Sequence, residues 1–213
     1  DYLSAVNVTL EHMLLNNFCT VSPEEAGFPP ESGICTESLA NLFIPAGLSD
    51  ELYAIVGLQT HLGLRFRESV KIDAKAAYEE GLKTGEVNIT KGCKGGRPRV
   101  LPVNSEQLLA LKKADDMQAK GHHSLIPPEL TYIEFKNKLY NQIRGLGFRF
   151  HGERHGFAHR IYEELLGVPA PVLSHKLRGK ALYQWLANEL NVTLEKAQEM
   201  ELNARFQIST ELG

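Results

Sequence analysis

Cysteine is scarce: Cys19, Cys35 and Cys93 are scattered through 213 residues with no Cys-x-x-Cys pair. That rules out a disulfide framework, gives no zinc-ribbon spacing, and fits a reducing compartment. No apolar run approaches the roughly 20 residues needed to cross a bilayer. Residues Asp1 to Leu10 also lack the basic start and apolar block of a secretory leader. An excess of positive charge is missing too, since 23 Lys and Arg face 26 Asp and Glu, for a net charge of -3. A uniformly basic nucleic-acid coat is thereby excluded, and any contact with phosphates has to come from a local patch. Neither an internal repeat nor a low-complexity tract is present. What remains is a chain with 43% apolar residues, enough for one good core and a small appendage. The first residue is Asp rather than Met, as expected of a piece cut from a longer protein.

Tyr2, Leu3, Val6 and Leu10 recur at helical spacing, and turn formers follow: Pro23, Gly27, Pro29, Pro30, Ser32 and Gly33. One helix and a linker are expected over residues 1–36, and a continuous domain over 37–213. Ser49 caps a helix that carries Leu52, Ile55, Val56 and Leu62 on one face and stops at Gly63. Residues 87–90 and 100–103 are β-prone and flank a basic turn, Lys91-Gly-Cys-Lys94-Gly-Gly-Arg97-Pro-Arg99, so a hairpin or a sheet of about three strands is expected. The rest reads as helix. Ser105 caps a helix bearing Leu108, Leu111 and Met117, and Thr131 with Glu134 forms a capping box ahead of Phe135, Leu139 and Ile143, with stops at Gly145 and Gly147. A helix from about His151 has two faces, one of Phe157, Ile161 and Leu165 for packing, the other of His151, Arg154, His155 and Ala158 for chemistry. Ser174 opens another with Leu177, Leu182, Leu186 and Leu190, and Thr193 caps the last. The fold class expected is α+β, mainly helical with a small antiparallel sheet.

Three separated segments carry groups suited to phosphoryl transfer. Without a metal, that chemistry needs guanidinium groups on the non-bridging oxygens and an acid for the leaving oxygen, because negative charge accumulates on the pentacoordinate centre. Gly63-Leu64-Arg65-Phe66-Arg67-Glu68 places an Arg after a helix stop, with a carboxylate three residues on that can hold it. Lys94 rides the basic turn, where a hairpin could bring an ammonium to the leaving oxygen. His151-Gly-Glu-Arg154-His155 sets a His and an Arg about one helical turn apart on the same face. Each motif alone is ordinary: an Arg near a Glu is usually a surface ion pair worth little, a basic turn is usually solvated, and a His-x-x-Arg is usually a surface detail. Their joint occurrence, in this order, carries the inference.

In that order these segments resemble the three motifs of the tyrosine recombinases, the phage integrase family: a GLRxxE-like first Arg box at Gly63 to Glu68, a β-hairpin lysine motif similar to KGG-R-PRxxP at Lys94 to Pro102, and an HxxRH box at His151 to His155. The resemblance runs from about Glu37 to Gly213. It implies that Arg65, Lys94, His151 and Arg154 are catalytic, with Glu68 and His155 in support, and that Lys91, Arg97 and Arg99 contact DNA. Residues 1–36 are then the last helix and linker of a core-binding domain, and residues 37–213 the catalytic domain.

The resemblance further implies cleavage and rejoining of double-stranded DNA at specific recombination sites through a 3'-phosphotyrosine, with no cofactor and no metal. It also implies a synaptic tetramer of the full-length protein, a role in DNA integration or excision on mobile genetic elements, and a place in the bacterial cytoplasm at the nucleoid. Family members continue past an Ile-Ser-x-Glu-Leu-Gly segment to a His or Trp and then the nucleophilic Tyr. None of Tyr2, Tyr53, Tyr78, Tyr132, Tyr140, Tyr162 and Tyr183 matches that position, so these residues are expected to stop before the nucleophile. Two alternatives share the chemistry or the fold: a DNA-binding relative without catalysis, and a type IB topoisomerase that relaxes supercoils. A metal site on His151, His155 and His159, at four-residue steps, lacks an evident carboxylate or Cys to complete it.

Overall fold

The computed structural model describes residues 48–146, 149–174 and 177–213, all within one compact unit, Thr36–Gly213. The helix and linker expected over residues 1–36 lie outside the described residues. The elements are helices α1 (Asp50–Leu62), α2 (Phe66–Lys71) and α3 (Ala74–Thr84), strands β1 (Glu86–Ile89) and β2 (Arg99–Pro102), then α4 (Ser105–Met117), α5 (Tyr132–Gln142), α6 (Phe150–Leu166), α7 (Pro171–Ser174), α8 (Gly179–Glu189) and α9 (Leu194–Leu212). The mainly helical α+β class stands.

Helix starts follow side-chain capping. The hydroxyl of Ser49 accepts from the Leu52 amide and that of Thr193 from the Lys196 amide. Thr131 and Glu134 form the expected capping box. At α4 the cap is Asn104, not Ser105: its side chain accepts from the Glu106 and Gln107 amides, and Gln107 reaches back to the Asn104 amide. An amide oxygen outcompetes the hydroxyl one residue on because it closes a complete box. Ser174 opens nothing; it ends the single turn α7, and α8 begins after Arg178. Helices α2 and α3, the latter capped by Asp73, add to those expected from the sequence.

Among the described residues the sheet has two strands, not about three, paired antiparallel with Val87 opposite Leu101 and Ile89 opposite Arg99. The outer edge of β1 is occupied by a helix: Glu80 of α3 accepts from the Asn88 backbone amide at 3.0 Å and from its side-chain amide. A carboxylate therefore takes up an edge amide that a third strand would otherwise pair.

Among the described residues, two apolar clusters form the interior. The larger gathers Leu52, Ile55, Leu58 and Leu62 of α1 with Val70, Val87, Leu101, Leu111, Phe135, Leu139 and Phe150; the smaller gathers Tyr162, Leu166, Leu182, Leu186, Ala197 and Ala204. Helix α6 belongs to both, through Phe150 at its start and Tyr162 and Leu166 at its end. Its packing face differs from the one read at four-residue steps: Phe157 is buried, but Leu165 is 38% exposed, and Arg154 is 7% exposed rather than facing solvent. A helix wedged between two clusters buries a broader and rotated arc than a surface helix does.

Gly63 closes α1 in the left-handed conformation, at φ 62°, and a Cβ there would lie 2.5 Å from Cδ1 of Phe157. Only glycine permits both the dihedral and the approach of α6. Gly63→Ala is expected to destabilise the fold by about 2–4 kcal/mol, from left-handed strain plus overpacking. Denaturant unfolding monitored by circular dichroism checks this; a loss under 1 kcal/mol would mean α6 can retreat without penalty.

Candidate phosphate-binding site

The site begins where α1 ends. Past Gly63 the chain turns at Leu64, which is fully buried, and Arg65 becomes the N-cap of the short helix α2. Glu68, one turn on and 0% exposed, closes a loop with it: the Arg65 amide donates to Glu68 Oε2 at 2.8 Å, and Arg65 Nη1 donates to Oε1 at 3.0 Å. A second guanidinium approaches from β2. Arg99 donates from Nη1 to Oε1 at 2.9 Å and from Nη2 to Oε2 at 2.8 Å, a parallel two-bond fork. Burial pushes the Glu68 carboxyl up, but the bonds from Arg99 and Arg65 outweigh it and hold it below the usual carboxylate range.

The third guanidinium comes from α6. Arg154 donates from Nη1 to the Gly63 carbonyl and from Nη2 to the Leu212 carbonyl, both at 2.6 Å. Arg65 Nη2 donates to the Gly213 carbonyl, and Arg99 Nε to the Glu211 carbonyl at 2.8 Å. The last turn of α9, whose carbonyls have no partners within the helix, thus rests on all three arginines, with the negative end of its dipole toward positive charge. Burial and then the charge of Arg65 pull the pKa of Arg154 down to about 10, which leaves it protonated at neutral pH.

An aromatic cluster fixes where the two outer motifs sit. The ring of Phe66, next to Arg65, lies 4.6 Å from that of Phe150, next to His151, and Tyr140 of α5 packs edge-on to both at 5.3 and 5.1 Å. His151, exposed in the first turn of α6, meets His155 edge to face at 4.5 Å. Burial, then the charges of Arg154 and Arg65, lower the pKa of His151; burial, then His151 and Arg154, lower that of His155. Both imidazoles are therefore biased toward the neutral form.

The structure thus brings Arg65, Glu68, His151, Arg154 and His155 together. Lys94 is exposed, in a single 3-10 turn Lys94–Gly96 at the hairpin tip. The base of that turn touches the site: a Cβ on Gly92 would fall 2.6 Å from the Arg67 carbonyl oxygen, and the Cys93 thiol feels the charges of Glu68, Arg99 and Arg65. Arg97 is exposed on the same turn, and Lys91 Nζ donates to the His123 carbonyl at 2.9 Å. Arg99 departs from expectation. It was expected to face DNA, yet its side chain is 6% exposed and its terminal nitrogens are engaged with Glu68. Alternation along β2 explains it: Arg99 and Leu101 point inward while Val100 is 47% exposed. Among the described residues no group of three or more His, Cys, Asp or Glu could hold a metal ion.

A family model for integrases matches residues 36–160, which include all three arginines, Lys94, Glu68 and both histidines. Neither the search of curated proteins nor that of solved structures found a match.

Stability should follow the histidines below neutrality. His61, His151, His155 and His159 all have folded pKa values lowered from 6.5. The unfolded chain then binds more protons than the folded one as pH falls past 6.5, so their contribution is complete above that value and is lost through the lowered folded values. Unfolding free energy is expected to drop between pH 7 and 5.5, and to drop less in a His151→Gln/His155→Gln variant. An identical pH slope in that variant would show the pair to be uninvolved.

Proposed function

We propose, for a chain that belongs to the integrase family as a catalytic domain of tyrosine recombinase type, that the arginine cluster binds a DNA phosphate at the point of strand cleavage. The observation that carries this reading is a charge imbalance. Three guanidiniums, of Arg65, Arg99 and Arg154, converge while Glu68 is the only carboxylate side chain bonded to any of them among the described residues. Family membership supports recombinase-type function and DNA binding; the assignment of roles is our reading.

In it, Arg65 and Arg154 neutralise the two non-bridging oxygens as charge builds in the transition state. A tyrosine hydroxyl attacks phosphorus and passes its proton to the neutral imidazole of His151, with His155 packed behind it. The bond from phosphorus to the 5' oxygen breaks, and Lys94 gives that oxygen a proton from the hairpin tip. A 3'-phosphotyrosine and a 5' hydroxyl result, and a hydroxyl of a second strand reverses the step, so the phosphodiester energy is kept and no nucleotide cofactor or metal is called on. Lys91 and Arg97 steer the flanking backbone. In this reading the reaction runs in a tetramer at specific sites, on DNA in the bacterial cytoplasm, serving integration or excision of a mobile element. The attacking tyrosine matches none of the seven in this sequence by position. Tyr162 is a poor substitute, because burial raises its pKa to about 12.

Duplex binding is expected to weaken steeply with salt, and Arg65→Ala should lower the slope of log K against log salt by about 1, the signature of one lost phosphate contact. Anisotropy titrations across salt concentrations measure it. An unchanged slope would move the DNA to another face. Incubation with a nicked suicide duplex tests the chemistry: no covalent band is expected from these 213 residues, and mass spectrometry of any band that did form would name the tyrosine overlooked.

A further inference from the structure

Arg99 uses three donor nitrogens inside the protein: Nε on the Glu211 carbonyl, and Nη1 and Nη2 on the two oxygens of Glu68. Each of those oxygens also takes one bond from Arg65, at Nη1 and at the backbone amide. The carboxylate is thus divided evenly between two residues. Arg99 saturates its far side, which leaves Arg65 a single side-chain bond to it; the other terminal nitrogen of Arg65, Nη2, donates to the Gly213 carbonyl at the end of α9. Without Arg99, a buried carboxylate with one cation beside it would draw that cation into a two-bond fork, the arrangement arginine and carboxylate prefer. Arg65 would then retract from any phosphate.

We propose that Arg99 is a positioning residue: by occupying the far side of Glu68 it keeps the Arg65 guanidinium from folding back onto the carboxylate and keeps Nη2 pointed away from it, where a phosphate oxygen takes the place of the Gly213 carbonyl. This rests on the reading that Arg65 binds phosphate. It also links the hairpin to the first Arg motif, since β2 delivers Arg99 and the hairpin tip carries Lys94.

The test is a double-mutant cycle on the 213-residue chain with inorganic phosphate as probe, read by the ¹⁵N shifts of arginine side chains, and with thermal midpoints recorded alongside. Arg65→Ala is expected to weaken phosphate about tenfold or more, the scale of a charge-assisted hydrogen bond. Arg99→Lys keeps the charge but cannot make the fork, and should weaken phosphate about fivefold while remaining folded. The double variant should bind no worse than Arg65→Ala, because Arg99 acts only through Arg65. Wild-type affinity in Arg99→Lys, or additive losses in the double variant, would overturn the proposal while leaving the phosphate site standing. Unchanged affinity in Arg65→Ala would overturn both. Should Arg99→Lys not fold, the same titration of Arg99→Gln decides: a comparable loss of phosphate affinity that vanishes in the Arg65→Ala background supports the proposal, and wild-type affinity contradicts it.

Discussion

The buried carboxylate of Glu68 is the constraint on which the site depends. It is fully enclosed and accepts from two guanidiniums and a backbone amide. An isolated carboxylate in such a place would be costly, and removal of one partner from a buried pair typically costs about 3–5 kcal/mol. Two arginines from different parts of the chain, one at the head of α2 and one in β2, are therefore obliged to meet there. Their combined charge exceeds what Glu68 neutralises, and that excess makes the spot attractive to an anion. The burial of Glu68 and the surplus of positive charge beside it are two sides of one arrangement.

Helix α6 supplies the rest of the geometry. Its start packs in the larger apolar cluster through Phe150 and its end in the smaller one through Tyr162 and Leu166, so its rotation is set from both ends. That rotation buries Arg154 and aims it at the Gly63 carbonyl, two residues before Arg65. The aromatic cluster of Phe66, Tyr140 and Phe150 fastens the neighbours of Arg65 and His151 to one another. Residues nearly 90 positions apart in sequence are thereby held side by side through the packing of their neighbours.

Much of this was legible in the sequence. Ser49, Thr131 and Thr193 as caps, the stop at Gly63, the hairpin around the basic turn and the three motifs are all local signals, readable from a few neighbouring residues. What escaped were features set by tertiary context. The packing face of α6 cannot be read from four-residue steps when two clusters claim the helix. Arg99 looked like a surface cation because it follows Arg97 and Pro98 in a basic stretch; the parity of β2 held the clue, since an inward Leu101 puts residue 99 inward as well. The aromatic cluster and the seating of the α9 terminus on three arginines join distant segments, and no window of sequence contains them.

Recombinase chemistry at this site requires that Arg65 and Arg154 flank a DNA phosphate. A crystal structure of the chain with a short duplex tests it most directly. A backbone phosphate whose two non-bridging oxygens lie within hydrogen-bond distance of the Arg65 and Arg154 guanidiniums is the result predicted. A duplex seated on another face, with both arginines still turned only to Glu68 and the carbonyls of Gly63, Leu212 and Gly213, would contradict it.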